Sequence, residues 1–158
     1  MRSLRSILPV IAACLLWAGC SNTDCTDYRS SQPTAGFYSS VTGEAAPLDS
    51  VLIFGVGAPG DSLLVDWRKQ VSEALLPFRI DAHTTRFVLQ YTDRAPRLRD
   101  TVEFTYTPEP FFVSDACGAI YKFRIENIRH TSVRIDSIVC PAGVIDNVPG
   151  VNLKFYLN

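Results

Sequence analysis

The sequence predicts an all-β fold, an antiparallel, immunoglobulin-like β-sandwich of about seven to nine short strands. Three observations lead there. Apolar and polar residues alternate in several separate stretches, the period of a half-buried strand. Gly and Pro punctuate the chain between those stretches. Helical spacing is almost absent; its one candidate is Trp67, Val71, Ala74 and Leu75 ahead of Pro77, enough for one or two turns. Two packed sheets suit such a pattern best, with a small closed barrel as runner-up.

The first nineteen residues stand apart from the fold. Arg2 and Arg5 are followed by a short apolar run, Ile7 to Leu16, too short and wrongly flanked for a membrane-spanning helix. Trp17-Ala18-Gly19-Cys20 then resembles the lipobox of bacterial lipoproteins, where small residues precede a cysteine that becomes the acylated N-terminus. Trp17 stands where an aliphatic residue is usual. Ile11-Ala12-Ala13-Cys14 matches the letters better, but cleavage there would leave almost no apolar run and put Leu15, Leu16 and Trp17 on the mature end. Cys20 is therefore the expected lipidation (palmitate-bearing) site. The division that follows is a lipoprotein signal peptide over 1–19, a flexible tether over 20–34 and a β-sandwich domain over 35–158. The tether is rich in Ser, Thr, Asp and Asn without an apolar period. Anchoring to the outer membrane is expected, on its periplasmic or its outer side, since two or more acyl chains suffice for stable attachment.

Composition fits an ordinary globular domain, with 158 residues, 47% hydrophobic and 20% charged. Without Arg2 and Arg5 the mature chain has thirteen basic residues against sixteen acidic ones, a net charge of −3. Arg94, Arg97 and Arg99 lie close together but are flanked by Asp93 and Asp100, as on a solvated loop. Nucleic acid is not an expected partner. Five cysteines become three once Cys14 is cleaved off and Cys20 is acylated. In an oxidising compartment Cys25, Cys117 and Cys140 supply one disulfide and one leftover thiol. Cys117 with Cys140 would bracket a hairpin, whereas Cys25 with Cys117 would tie the tether to the core.

The strands follow in order from Gly36. Phe37 to Val41 is the first, ended by Thr42-Gly43-Glu44. Val51 to Phe54 is a solid apolar run, expected to be buried on both faces. Gly55, Gly57, Pro59 and Gly60 break it, and Ser62 to Val65 resumes a strand. In Arg86 to Tyr91, Phe87, Leu89 and Tyr91 share a face. Val102, Phe104 and Tyr106 do the same within Thr101 to Thr107, as do Val151, Leu153, Phe155 and Leu157 at the C-terminus. Asp115 to Val139 reads as a central hairpin. Tyr121, Phe123 and Ile125 alternate with charges, Asn127 to Ser132 turns the chain, and Val133 and Ile135 return. Pairing would bring Phe123 near Ile135 and Ile125 near Val133, with a bulge at Ser137–Ile138.

The motifs that resemble chemistry are incomplete. Gly55-Val56-Gly57-Ala58-Pro59-Gly60 spells a dinucleotide fingerprint, but strand-like residues follow where a helix must supply amides to the phosphates. Gly60-Asp61-Ser62-Leu63 spells the GDSL hydrolase signature, yet that family's Gly-x-Asn-Asp and Asp-x-x-His blocks are missing. Ser62 therefore reads as a turn entering a strand, a serine hydrolase being the least favoured alternative. His83 and His130 are isolated and show no metal-ligand spacing. A thiol–imidazole pair of His130 with Cys117 or Cys140 is outweighed by the structural roles of cysteine in export. Trp67, Tyr91, Tyr106, Tyr121 and Tyr156 offer an aromatic platform for a glycan only if they cluster beside a cleft.

Several segments in order resemble a family of uncharacterised Bacteroidetes lipoproteins. They include Cys25 before the linker, Gly36-Phe37-Tyr38, Asp61-Ser62-Leu63, Leu75-Leu76-Pro77 and Thr84 to Val88. Asp100 to Tyr106, Phe112 to Gly118 with Tyr121, and Ile135 to Val139 continue the match, which closes with Val148, Asn152 and Phe155-Tyr156-Leu157. The resemblance implies a β-rich domain of unknown function on a lipid anchor. It favours a disulfide between Cys25 and Cys117 and brings no catalytic residue; Cys140 departs from its pattern. The expectation is a non-enzymatic, lipid-anchored envelope protein without cofactor or metal. Its partner would be another envelope protein, or alternatively a glycan or small ligand.

Overall fold

Val102, Phe104 and Tyr106 are completely buried, so the clearest alternation in the sequence is the inner face of a strand, β6 (Arg99–Ser114). The computed structural model describes residues 31–57, 61–114 and 118–158. Around β6 lie β1 (Thr34–Ser39), β2 (Val51–Val56), β3 (Leu63–Arg68), β4 (Glu73–Leu75) and β5 (Thr84–Gln90). After it come β7 (Gly118–His130), β8 (Ile135–Val139), β9 (Val144–Ile145) and β10 (Leu153–Leu157). One sheet has the order β4-β1-β10-β8 and the other β3-β2-β5-β6-β7-β9. The fold is the expected β-sandwich, with ten strands among the described residues.

All pairings are antiparallel except one. β1 runs parallel to β10, Phe37 beside Phe155 and Tyr38 beside Tyr156. Gly36 permits this junction to close, because a Cβ there would lie 2.8 Å from Cγ1 of Val151. Across the sandwich the Phe155 ring faces Phe104, with centroids 6.5 Å apart. Phe78, on the link from β4 to β5, stacks on Tyr106 at 4.5 Å and meets the edge of Phe123 at 5.4 Å. This aromatic layer joins the link to the six-stranded sheet.

Four sequence expectations change. Val51–Phe54 is not buried on both faces; Val51 and Ile53 point inward while Leu52 and Phe54 are half-exposed. The helical spacing around Trp67 belongs to two short strands, β3 and β4, joined by a loop in which Gln70 has φ of 54°. The first strand begins at Thr34 instead of Phe37. The largest change concerns the central hairpin. β7 does not pair with β8: its partner is β6, with Phe123 opposite Pro108 and Tyr121 opposite Pro110. β8 belongs to the other sheet, where it pairs with β10, and Val133 is exposed. The bulge predicted near Ser137 is present one residue earlier. Tyr156 faces Ser137 and Leu157 faces Ile135, which leaves Asp136 as the extra residue.

β6 and β7 outrun their neighbours. β5 pairs with β6 only as far as Thr105, and β9 touches β7 only at Phe123 and Arg124. Thr107–Ser114 and Gly118–Lys122 therefore extend as a two-stranded ribbon. Among the described residues no strand pairs with its β6 edge, and Pro108 and Pro110 lie on that edge. The Tyr106 amide donates to His83 O on the β5 side, and alternate amides of a strand point the same way. Pro108 and Pro110 thus replace the two residues whose N–H groups would face outward from the unpaired edge.

The last residues assigned to the tether are built into the domain. Ser31 is buried, and its hydroxyl donates to Tyr121 O at 2.5 Å. Pro33 O accepts from the Leu76 amide at 2.8 Å.

Candidate functional site

The ribbon and the sheet edges opposite it enclose a groove of about 970 Å³. One wall is β7 at Ile120 and Tyr121. The facing walls are β3 and β4, with Phe78 beneath. Each wall has a local cause. Tyr121 lies on the alternating inner face of β7, while Leu63 and Leu75 lie on edge strands that have no neighbour to cover them. Leu63, Leu75 and Ile80 on the rim are each more than half exposed. Arg68 and Glu73 are the charged residues of the lining. A half-open, largely apolar cleft with few polar groups has the character of a binding site, and rim leucines in water carry a solvation cost that an occupant would remove.

The residues singled out for chemistry do not converge on this groove. Ser62 is exposed and belongs to a separate hollow of about 240 Å³ whose described lining includes Arg79 and Thr85 but no histidine. Asp61 Oδ1 accepts from the Gly57 amide at 3.1 Å, and Ser62 O accepts from the Gly55 amide at 2.9 Å. Both residues thus hold a turn. Gly57, with φ of 81°, ends β2, and β3 follows where a dinucleotide site needs a helix. Residues 58–60 of that motif lie outside the described residues. Nδ1 of His83 contacts Tyr106 O at 3.2 Å, and Nδ1 of His130 contacts Thr131 O at 2.9 Å. Among the described residues no three His, Cys, Asp or Glu side chains are grouped to hold a metal ion.

The aromatic platform is dispersed. Tyr91 and Tyr106 are buried, and Tyr156 packs against Tyr38 with centroids 5.8 Å apart. Trp67 is half-buried at a backbone φ of 36°. Of the five, Tyr121 lines the groove. Arg94 and Arg97 are exposed on the loop leading into β6, and Arg99 is exposed at its first residue.

Cys20, Cys25 and Cys117 lie outside the described residues. Cys140 is half-buried and forms no disulfide among the described residues. Burial pushes its thiol up, partly offset by the Gly143 and Ala142 amides, so at neutral pH it is the less reactive thiol form. The case for Cys117 with Cys140 rested on a hairpin closing between them, and the strands of that hairpin lie in different sheets.

Sequence reasoning missed Asp100, the one completely buried carboxylate among the described residues. Its Oδ2 accepts from the Tyr91 hydroxyl at 2.8 Å, the Arg134 amide at 2.8 Å and the Ile135 amide at 3.1 Å. Its Oδ1 accepts from the Thr131 hydroxyl at 2.6 Å and the Val133 amide at 2.8 Å. Burial pushes this carboxyl up, but the Thr131 hydroxyl, the Val133 and Arg134 amides and the Tyr91 hydroxyl outweigh it and hold it below the usual range. Burial and the adjacent Asp100 charge in turn push the Tyr91 phenol up. Asp100 organises the crossing from β7 to β8. With five donors of the fold on its two oxygens, its role is structural.

A family model described as a family of unknown function, DUF6452, matches residues 50–157. The β3, β4 and β7 walls of the groove fall within that span; Ser31 to Pro33 precede it. No curated protein and no solved structure matches.

Proposed function

The chain belongs to DUF6452, a family of unknown function, and from its geometry we propose a non-enzymatic binding module on a lipid-anchored cell-envelope protein. The groove between the ribbon and the β3 and β4 edges carries this reading. It is largely apolar and bordered by Leu63, Leu75 and Ile80, which no part of the described chain covers. The partner is another envelope protein that places an apolar segment there. The membrane anchor is Cys20, as the lipobox-like Trp17-Ala18-Gly19-Cys20 and the Bacteroidetes lipoprotein resemblance suggest, and the location is the outer membrane.

The proposal includes the Cys25–Cys117 disulfide. Its support is chain reach: Ser31 is fixed to Tyr121, six residues after Cys25 and four residues after Cys117. A disulfide there would staple the tether to the connection between β6 and β7.

The test places a photo-cross-linking residue at Ile80 in intact cells. One dominant envelope protein should be captured, and capture should fall at least tenfold in Leu63→Glu and Leu75→Glu, which change exposed side chains only. Capture of abundant bystanders, unaffected by either substitution, would sink the proposal.

A further inference from the structure

The ribbon ends in exposed aromatics. Phe111 pairs with Ile120 and Phe112 with Ala119, and Phe112 is 61% exposed. Nζ of Lys122 lies 3.9 Å from the centroid of the Phe111 ring. Glu109, the nearest acid on the strand, is engaged by Arg124 at 2.7 Å. Lys122 has no salt-bridge partner among the described residues. Phe111 and Phe112 thus expose a ring on each face of the ribbon, with the Lys122 ammonium over the Phe111 ring. Such a wedge suits the boundary between headgroups and acyl chains, where apolar rings sink and a cation meets anionic lipid.

The chain itself specifies which surface is near. Ser31 is fixed to Tyr121, one rung from the Phe111–Ile120 pair. Ser31 lies eleven residues after Cys20, a leash of about 36–40 Å at full extension. An anchor at Cys20 therefore keeps the ribbon end of the domain within that reach of the bilayer. The opposite end, with Leu98 before β6 and Val133 after β7, is the far side, since both strands run the length of the sheet between the two.

We propose that Phe111, Phe112 and Lys122 form a second membrane contact, seated on the same bilayer that holds the N-terminal anchor. This rests on the lipid-anchor reading. It gives the domain a fixed orientation, with the ribbon end down and the groove opening beside the membrane surface.

The experiment uses the mature acylated chain in vesicles of phosphatidylethanolamine and phosphatidylglycerol brominated at a shallow acyl position. Once the signal is removed, Trp67 is the sole native tryptophan and sets the background. Phe112→Trp should show quenching at least twofold above that background, and Leu98→Trp should show none. Replacing phosphatidylglycerol by phosphatidylcholine should weaken the Phe112→Trp signal as Lys122 loses its anionic partner. Equal responses at the two positions would overturn the contact while leaving the anchor intact. A mature chain whose mass lacks acyl groups would overturn the anchor, and the contact with it.

Discussion

The Tyr91 hydroxyl donates to Oδ2 of Asp100 across 2.8 Å, both side chains being buried. The bond joins the end of β5 to the start of β6. The same carboxylate gathers donors from Thr131, Val133, Arg134 and Ile135, so one charge holds the place where the chain leaves the six-stranded sheet for the four-stranded one. Asp100→Asn keeps the shape but turns an amide NH₂ toward a ring of donors. It should cost about 2–4 kcal/mol at neutral pH, measured by urea denaturation.

The same site sets an acid limit. The folded-state carboxyl of Asp100 is held below its ordinary value. The stability it contributes is therefore fully present above the unfolded-state pKa, near 4, and is lost as pH falls through the lower folded value. Wild type should lose stability steeply below about pH 4, and Asp100→Asn should show a shallower loss over the same window. Parallel curves from thermal melts across that range would contradict the assignment.

Tyr106 is the second buried polar anchor. Its hydroxyl donates to Arg79 O at 2.9 Å, accepts from the Arg79 amide at 2.9 Å and lies 2.7 Å from Oγ1 of Thr85. Tyr106→Phe retains the stack on Phe78 but leaves those groups without their partner. A loss of about 1–3 kcal/mol is expected, read as a lower denaturation midpoint with an unchanged slope.

Pro108 and Pro110 occupy the outward N–H positions of a free strand edge. Pro108→Thr together with Pro110→Thr restores two donors on an edge that no described strand covers, which is a template for pairing with another molecule. Light scattering should show the double variant associating at a concentration at least several-fold lower than wild type. No difference would mean that the prolines do not guard the edge.

Peptide mapping of the mature protein without reduction should recover Cys25 joined to Cys117, with Cys140 alkylated only after unfolding. Removing that bond should cost about 2–4 kcal/mol. Recovery of Cys117 with Cys140 would refute the proposed staple.

Inner faces were legible in the sequence because alternation is a local property. Val102, Phe104, Tyr106, Leu153 and Phe155 were all assigned inward and are buried. Partners were not legible, because a period of two says which side chains share a face and nothing about which strand lies alongside. Tyr121, Phe123 and Ile125 were read correctly as a face and then joined to Ile135, which belongs to the other sheet. The apolar run Val51–Phe54 misled for a related reason: half-exposed Leu52 and Phe54 look, as letters, like core residues. Asp100 left little local trace, since four of its five donors lie 31 to 35 residues away and only Tyr91 is near in sequence. One signal was available. Prolines two apart in a stretch of alternating character mark an edge, and with it the ribbon that walls the groove.

The parallel contact between β1 and β10 makes the order of synthesis matter. β10 lies between β1 and β8 and is made after the other nine described strands. Until it arrives, β1 has only the three-residue β4 beside it, and Phe104 faces no Phe155. The four-stranded sheet therefore completes only when β10 is free to pair with both β1 and β8.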